Sequence, residues 1–337
     1  MVDSSRTRHL VMTSLSHGRA GRFSPLCEAR TPVRKLLLLL QLLSPPWLKK
    51  ALLRWGWGAQ VGRGVRIGWF SVVSGKRVEL GDYCHILSFS QVRCGAVHVG
   101  AYSVIGNGVH IYGPACFRMG RHSIVGSESQ INVWEDVRIG DLSALGSRCI
   151  LVTHGVWLPY TEGYWVKFAG VTIGDRVWIA SGVFIQPGIH IGNEVFVNAM
   201  SVVKKDLSDG TVAEGYPARP VAKMADLKRT MTPERLNAAV EAMLRHFGDA
   251  VLTREWGLRV DAATPGRLSF RRKGREGVIV QVPAADSGPR IEIRDPKGLR
   301  ATIDLATMRT PLPRDPFHAA LVQFLRGYYG LKLEYED

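Results

Sequence analysis

No stretch of this 337-residue chain is apolar for long enough to cross a bilayer as a helix. In its leucine-rich segment the unbroken run is Leu36 to Leu40, reaching Leu43 only across Gln41, whereas a spanning helix needs about 20 residues. Cysteine is scarce as well. The five present (Cys27, Cys84, Cys94, Cys116, Cys149) are odd in number and far apart, with no C-x-x-C pair and no histidine at zinc spacing. That pattern argues against a disulfide framework and suits a reducing, cytoplasmic compartment. Acidic residues are outnumbered, 29 against 44 Lys and Arg, for a formal charge of +15. Residues 1–60 hold 10 basic against 2 acidic residues, 61–224 hold 15 against 12, and 225–337 hold 19 against 15. A nucleic-acid surface would set its basic residues in the folded body among aromatics, so no nucleic-acid partner is expected. An anionic membrane near the N-terminus is the better match.

Residues 1–32 show no apolar periodicity and read as a disordered tail. Residues 33–58 follow as an amphipathic helical segment with Leu36–Leu43, Trp47, Trp55 and Trp57 beside Arg34, Lys35, Lys49, Lys50 and Arg54. A secretory signal would end in small residues, and this stretch ends in Ser44-Pro-Pro-Trp47. Two readings stay open for it: a helix lying peripherally in a membrane interface, or a cap on the end of the domain that follows.

From Val61 the chain repeats. Aliphatic residues recur every six positions in groups of three: Val61/Ile67/Val73, Leu80/Ile86/Val92, Val99/Ile105/Ile111, Met119/Val125/Ile131, Ile139/Leu145/Leu151, Ile173/Ile179/Ile185 and Ile191/Val197/Val203. A second stripe of small or β-branched residues, among them Cys84, Ser103 and Cys149, lies two positions before each. Two inward positions spaced by two mark a short strand, and the period of six says that each strand turns a corner and begins again. Steps within a group are always 6, while the joints between groups are 7, 7, 8, 8, 22 and 6, so every insertion leaves from one corner of a triangular prism. Gly often follows the aliphatic residue (Gly62, Gly81, Gly100, Gly126), as a corner with positive φ would favour. Stacking about seven coils over residues 59–224 buries one aliphatic column. Cys84 and Cys149 fall in the inward stripe and read as core filler.

The segment Ile173-Gly-Asp-Arg-Val-Trp-Ile-Ala-Ser-Gly-Val-Phe-Ile-Gln-Pro-Gly188, with Ile191-Gly192, Ala199-Met-Ser-Val-Val203 and Gly215-Tyr-Pro-Ala-Arg219, resembles the C-terminal signature of the hexapeptide-repeat acyltransferases, which include galactoside, maltose and polysaccharide O-acetyltransferases. The resemblance covers about residues 33–224. It implies an all-β fold, a left-handed parallel β-helix, assembled as a homotrimer that uses acetyl-CoA or another acyl-CoA, with no metal, on a carbohydrate hydroxyl. The one long insertion, Val152–Thr172, begins Thr153-His154, where the family carries its catalytic histidine. An imidazole with an ordinary pKa of about 6.5 suits general-base work near neutral pH. By the same matching, Trp178, Ser181, Ala199, Lys204, Lys205 and Arg219 line the CoA site, although Lys204 replaces a commonly smaller residue. Asn132 and Glu135, at a corner one coil earlier, are candidate acceptor contacts.

Residues 225–337 continue past where simple relatives end. Thr232-Pro233 starts a helix with Leu236, Val240, Met243, Leu244 and Phe247 at helical spacing. Alternating segments follow at 268–271, 278–282, 291–294 and 299–305, and Asp315-Pro316 opens a last helix, predicting a small α+β domain. Two rival functions make different demands on the sequence. A metal lyase on a similar coil needs a close histidine pair, which His85, His98, His110 and His122, spaced 13, 12 and 12 apart, do not supply. A non-catalytic scaffold module is the other alternative.

Overall fold

The computed structural model describes residues 32–156, 158–261, 266–272, 275–282, 288–295 and 298–336. The tail with Cys27, and Trp157, lie outside them. The chain divides into two compact units between Val221 and Ala222.

The first unit is the parallel β-helix that the six-residue period predicts. On its second face Ile67, Ile86, Ile105, Val125, Leu145, Ile179, Val197 and Ala213 are successive register partners. All eight are buried. Each buried aliphatic side chain contributes roughly 1.5–3 kcal/mol relative to exposure, and the column repeats on the other faces. The strands Gln91–Val99 and His110–Met119 run on through the insertion corner, which joins the first and third faces into one twelve-stranded sheet beside the nine-stranded second face. Seven coils are not the end. Leu207 bridges to Ile191, and Thr211–Gly215 pairs with Phe196–Val197, adding a partial eighth coil. The sequence stripe hides it because Leu207 follows Val203 by four residues and its next member is the small Ala213.

The glycines after the aliphatic positions have a different cause from the one expected. Positive φ falls two residues later, at Tyr83, Tyr102, His122, Arg148 and Met200 among others. The glycines are needed for close approach. A Cβ on Gly100 would lie 2.4 Å from the carbonyl carbon of Gly120, and one on Gly126 would lie 2.4 Å from that of Gly146.

The inward serines have work that periodicity alone does not reveal. Ser103, Ser123 and Ser143 donate to the carbonyls of Gly120, Gly140 and Gly174 at 2.6–2.7 Å. The same three hydroxyls accept from the amides of Ser123, Ser143 and Val177 at 3.0–3.1 Å. They satisfy backbone groups at the corners, where the strand ladder is interrupted.

Helices α1 (Pro32–Leu43) and α2 (Pro46–Trp57) close the first coil. Leu37 and Leu53 are buried, the Gln41 side-chain oxygen accepts from the Val73 amide at 3.0 Å, and the Lys49 ammonium donates to the Ser71 carbonyl at 2.9 Å. An exposed sheet edge is thereby covered and partly paired. The capping reading therefore holds for this face of the helices.

In the second unit Pro233–Phe247 is capped by the Thr232 side chain and Pro316–Tyr329 by that of Asp315. A seven-stranded sheet follows chain order and packs its buried Leu268, Ile279, Ile291 and Ile303 with Val240, Leu244, Leu321 and Leu325. Three short strands, Arg259–Asp261, Arg309–Pro311 and Glu334–Glu336, and a π-helix over Gly248–Glu255, are additional to the expected elements.

Burial pushes the Lys49 ammonium down to about 8, below the unfolded value of about 10.4. Between those values the unfolded chain binds more protons, so this site's penalty is complete below the folded pKa and fades as pH rises through the window. Melting temperatures of wild type and Lys49→Met, measured from about pH 7 to about pH 10, should show the wild type gaining on the variant as pH rises. A pH-independent difference would contradict this assignment.

Candidate functional site

The long loop leaves the insertion corner of the fifth coil and is stapled at its base. His154–Gly155 pairs antiparallel with Lys167–Phe168, and the Ala169 amide donates to the Thr153 carbonyl at 2.9 Å. This places the His154 ring beside Phe168, nearly parallel at 5.7 Å between centroids, and beside Trp134 at 5.4 Å. Its Nδ1 lies 2.9 Å from the Asn132 side-chain oxygen.

That oxygen is identified by its neighbours. The Trp134 amide can only donate, and it approaches the same atom at 3.3 Å, so the atom is an acceptor. His154 must then donate from Nδ1, which in the neutral imidazole leaves the lone pair on Nε2. Thr153, fully buried, is the hub beneath: its hydroxyl oxygen accepts from the amides of Trp134 and Glu135 at 2.9 and 3.1 Å and donates toward Asn132. The result is a histidine held by a hydrogen bond and two rings, with one nitrogen fixed as a proton acceptor.

Asn132, expected as an acceptor contact, is buried and engaged with His154 and Thr153. Glu135 is exposed beside it. Trp178 is exposed on the second face with its ring 4.9 Å from that of Phe196. Ser181 and Ala199 occupy one corner in consecutive coils, where the Met200 amide donates to the Ser181 carbonyl at 3.0 Å. Lys204 and Lys205 follow Val203, whose register partners lead through Ile185 to Leu151, so they lie at the His154 corner two coils on. The Lys204 ammonium sits 5.5 Å from the centre of the Tyr216 ring. Arg219 is exposed on Ala218–Lys223. The third face of the sixth and seventh coils is thus bounded by the Ser181/Ala199 corner and by the corner that carries His154, Lys204 and Lys205.

Sequence reasoning missed Trp134, Thr153 and Phe168 as partners of His154. Only the loop hairpin brings Phe168 back across fourteen residues, and no period marks it. The buried cysteines take no part: burial pushes the Cys84 and Cys94 thiols up to about 12, so they stay protonated near neutrality.

Comparison with known proteins follows this geometry. The family described as bacterial transferase hexapeptide (six repeats) matches residues 170–205. A Saccharomyces cerevisiae protein named as an acetyltransferase is 43% identical over 65 residues, covering 19% of this chain and 33% of that one. An Escherichia coli acetyltransferase named for colanic acid biosynthesis is 28% identical over 127 residues, 38% of this chain and 69% of the other. The Escherichia coli galactoside O-acetyltransferase is 29% identical over 134 residues, 37% of this chain and 66% of the other. The chain therefore spans between a third and about two thirds of these relatives' lengths, and resembles the hexapeptide-repeat acyltransferases through its β-helix.

Thr153→Val keeps the shape and removes the hydroxyl that two amides share. It should destabilise the unit by about 1–3 kcal/mol, the cost of unsatisfied buried donors. Denaturant unfolding measures the loss, and hydrogen exchange should show the Trp134 and Glu135 amides losing protection first.

Proposed function

We propose that this protein is an acyl-CoA-dependent O-acyltransferase, most simply an O-acetyltransferase, acting on a sugar hydroxyl of a surface polysaccharide or its lipid-linked precursor. The observation that carries the reading is the His154 Nδ1 bond to Asn132, because it presents Nε2 as a general base at the mouth of the loop. The names of the colanic acid and galactoside relatives support the acyl group and the class of acceptor.

In this mechanism Nε2 of His154 takes the proton of the acceptor hydroxyl as its oxygen attacks the thioester carbonyl carbon. A backbone N–H donates to the resulting oxyanion. The C–S bond then breaks, and the proton passes from His154 to the departing thiolate, so no covalent enzyme intermediate forms. Asn132 acts by holding the tautomer, and Trp134 and Phe168 hold the ring plane. Trp178, Ser181 and Ala199 flank the pantetheine arm, while Lys204, Lys205 and Arg219 meet the phosphates or adenine. Glu135 is placed to contact the acceptor. The active assembly is a homotrimer, and the enzyme works at the cytoplasmic side, with residues 33–57 in peripheral contact with the membrane where lipid-linked precursors reside.

General-base catalysis contributes about 10²–10⁴-fold. His154→Ala should lower CoA release in the presence of a sugar acceptor by about that factor, with folding and oligomeric state unchanged. Ile179→Ala should do the reverse, losing about 2–5 kcal/mol of stability from the coil core. A folded His154→Ala protein that transfers acyl groups at the wild-type rate refutes the mechanism.

A further inference from the structure

The first coils carry aromatic side chains that their own fold does not bury. Trp69, Phe70 and Phe89 are exposed at one corner, Phe89 by 61%, with the rings of Phe70 and Phe89 stacked at 5.3 Å and Trp69 6.2 Å from Phe70. Phe70 and Phe89 hold left-handed backbone, φ 55° and 63°, at a corner position that later coils fill with Gly108, Glu128, Arg148, Gly182 and Met200, none of them aromatic. Neither backbone preference nor core packing accounts for large rings there.

This corner adjoins the helical cap. Ser71, two residues beyond Trp69, is the residue whose carbonyl receives Lys49 of α2. α1 turns Leu37 and Gln41 inward and leaves Leu36, Leu39, Leu40 and Leu43 exposed, followed by Trp47, 72% exposed. The chain around this apolar surface carries an excess of positive charge, although Arg63 and Arg77 pair with Asp82 and Glu79. No Asp or Glu occurs from Ala29 to Val78, whereas residues 32–78 carry eight Lys or Arg besides the buried Lys49. A second copy apposed through this same surface would set that positive charge against itself. An anionic lipid surface complements it, and Trp and Phe suit the layer between headgroups and acyl chains.

We infer that the Trp69/Phe70/Phe89 corner and the exposed leucine stripe of α1 with Trp47 form one monotopic docking surface for an anionic lipid bilayer. No helix among the described residues is long and apolar enough to span, so attachment is by shallow insertion together with electrostatic attraction. The aromatic corner lies outside residues 33–57 and takes no part in acyl transfer, so this inference goes beyond the proposed activity and is tested apart from it.

The experiment is co-sedimentation of the full chain with vesicles of phosphatidylglycerol or of phosphatidylcholine. Wild type should bind the anionic vesicles preferentially and be released as salt rises from about 0.1 M to about 1 M. A variant combining Trp69→Ser, Phe70→Ser and Phe89→Ser should bind about tenfold more weakly, and one combining Leu36→Ser and Leu40→Ser should behave alike. Light scattering and CoA release should show both variants still assembled and active. Triple-variant binding equal to wild type, equal binding to both lipids, or dissociation of the oligomer by the aromatic substitutions would overturn the inference. Wild type that binds the anionic vesicles but releases no CoA with any sugar acceptor would count against the acyltransferase reading alone.

Discussion

Everything in the first unit depends on how closely one coil lies on the next. Parallel strands about 4.8 Å apart leave ordinary side chains room along a flat face, but at the corners the backbones converge until even a methyl group would strike the next carbonyl. Glycine after the aliphatic residue is the answer to that convergence. The buried serines answer its companion problem, because a corner breaks the ladder and leaves amides and carbonyls that a short hydroxyl can bridge. A coil built under both constraints has little tolerance for insertions, which is why they gather at a single corner and why the long loop leaves from there.

In the proposed mechanism the loop turns this rigidity into chemistry. His154 is not itself part of the coil, yet each group that fixes it comes from the coil or from the hairpin at the loop's base: Asn132 from the preceding coil, Thr153 beneath, Phe168 across the hairpin. A general base works only if its lone pair faces the proton it is to take, and a free histidine divides its population between two tautomers and many ring orientations. Binding Nδ1 to a carboxamide oxygen selects one tautomer before any substrate arrives. The exposed Trp178, Ser181 and Ala199 are positioned by register alone, since each is an outward or corner position of a strand whose inward neighbour is buried.

How much of this could be read in the residues depends on whether the signal is periodic. The aliphatic stripe recurs at a fixed interval, so the coil, its corners and the place of the loop follow from the spacing of Ile67, Ile86 and their successors. The two helices and most strands of the second unit were also legible, from Thr232-Pro233, Asp315-Pro316 and runs of alternation such as Val278–Val282. The partial eighth coil was not, because its stripe ends in alanine. The cause of the glycines was misread, since a glycine at a turn suggests positive φ and only neighbouring coils reveal the steric cause. The partners of His154 come from three separate segments, and nothing local to Trp134 or Phe168 announces that they meet.

The N-terminal helices show how one segment leaves room for two readings at once. A helix has room for two faces, and α1 uses both: Leu37 and Gln41 face the first coil, where Gln41 completes a strand edge, while Leu36, Leu40 and Leu43 face outward. The inward faces of the two helices account for polar residues that look misplaced in a leucine-rich sequence, Gln41 of α1 and, in α2, Lys49, buried at the cost of a lowered pKa. The outward face has no such explanation within the unit. Its leucines continue the capping helix, its aromatic neighbours stand on an exposed corner, and the stretch from Ala29 to Val78 carries no acidic residue. An exposed apolar surface in a stretch of net positive charge is costly to leave in water, and that cost is what the inferred docking to an anionic bilayer would relieve.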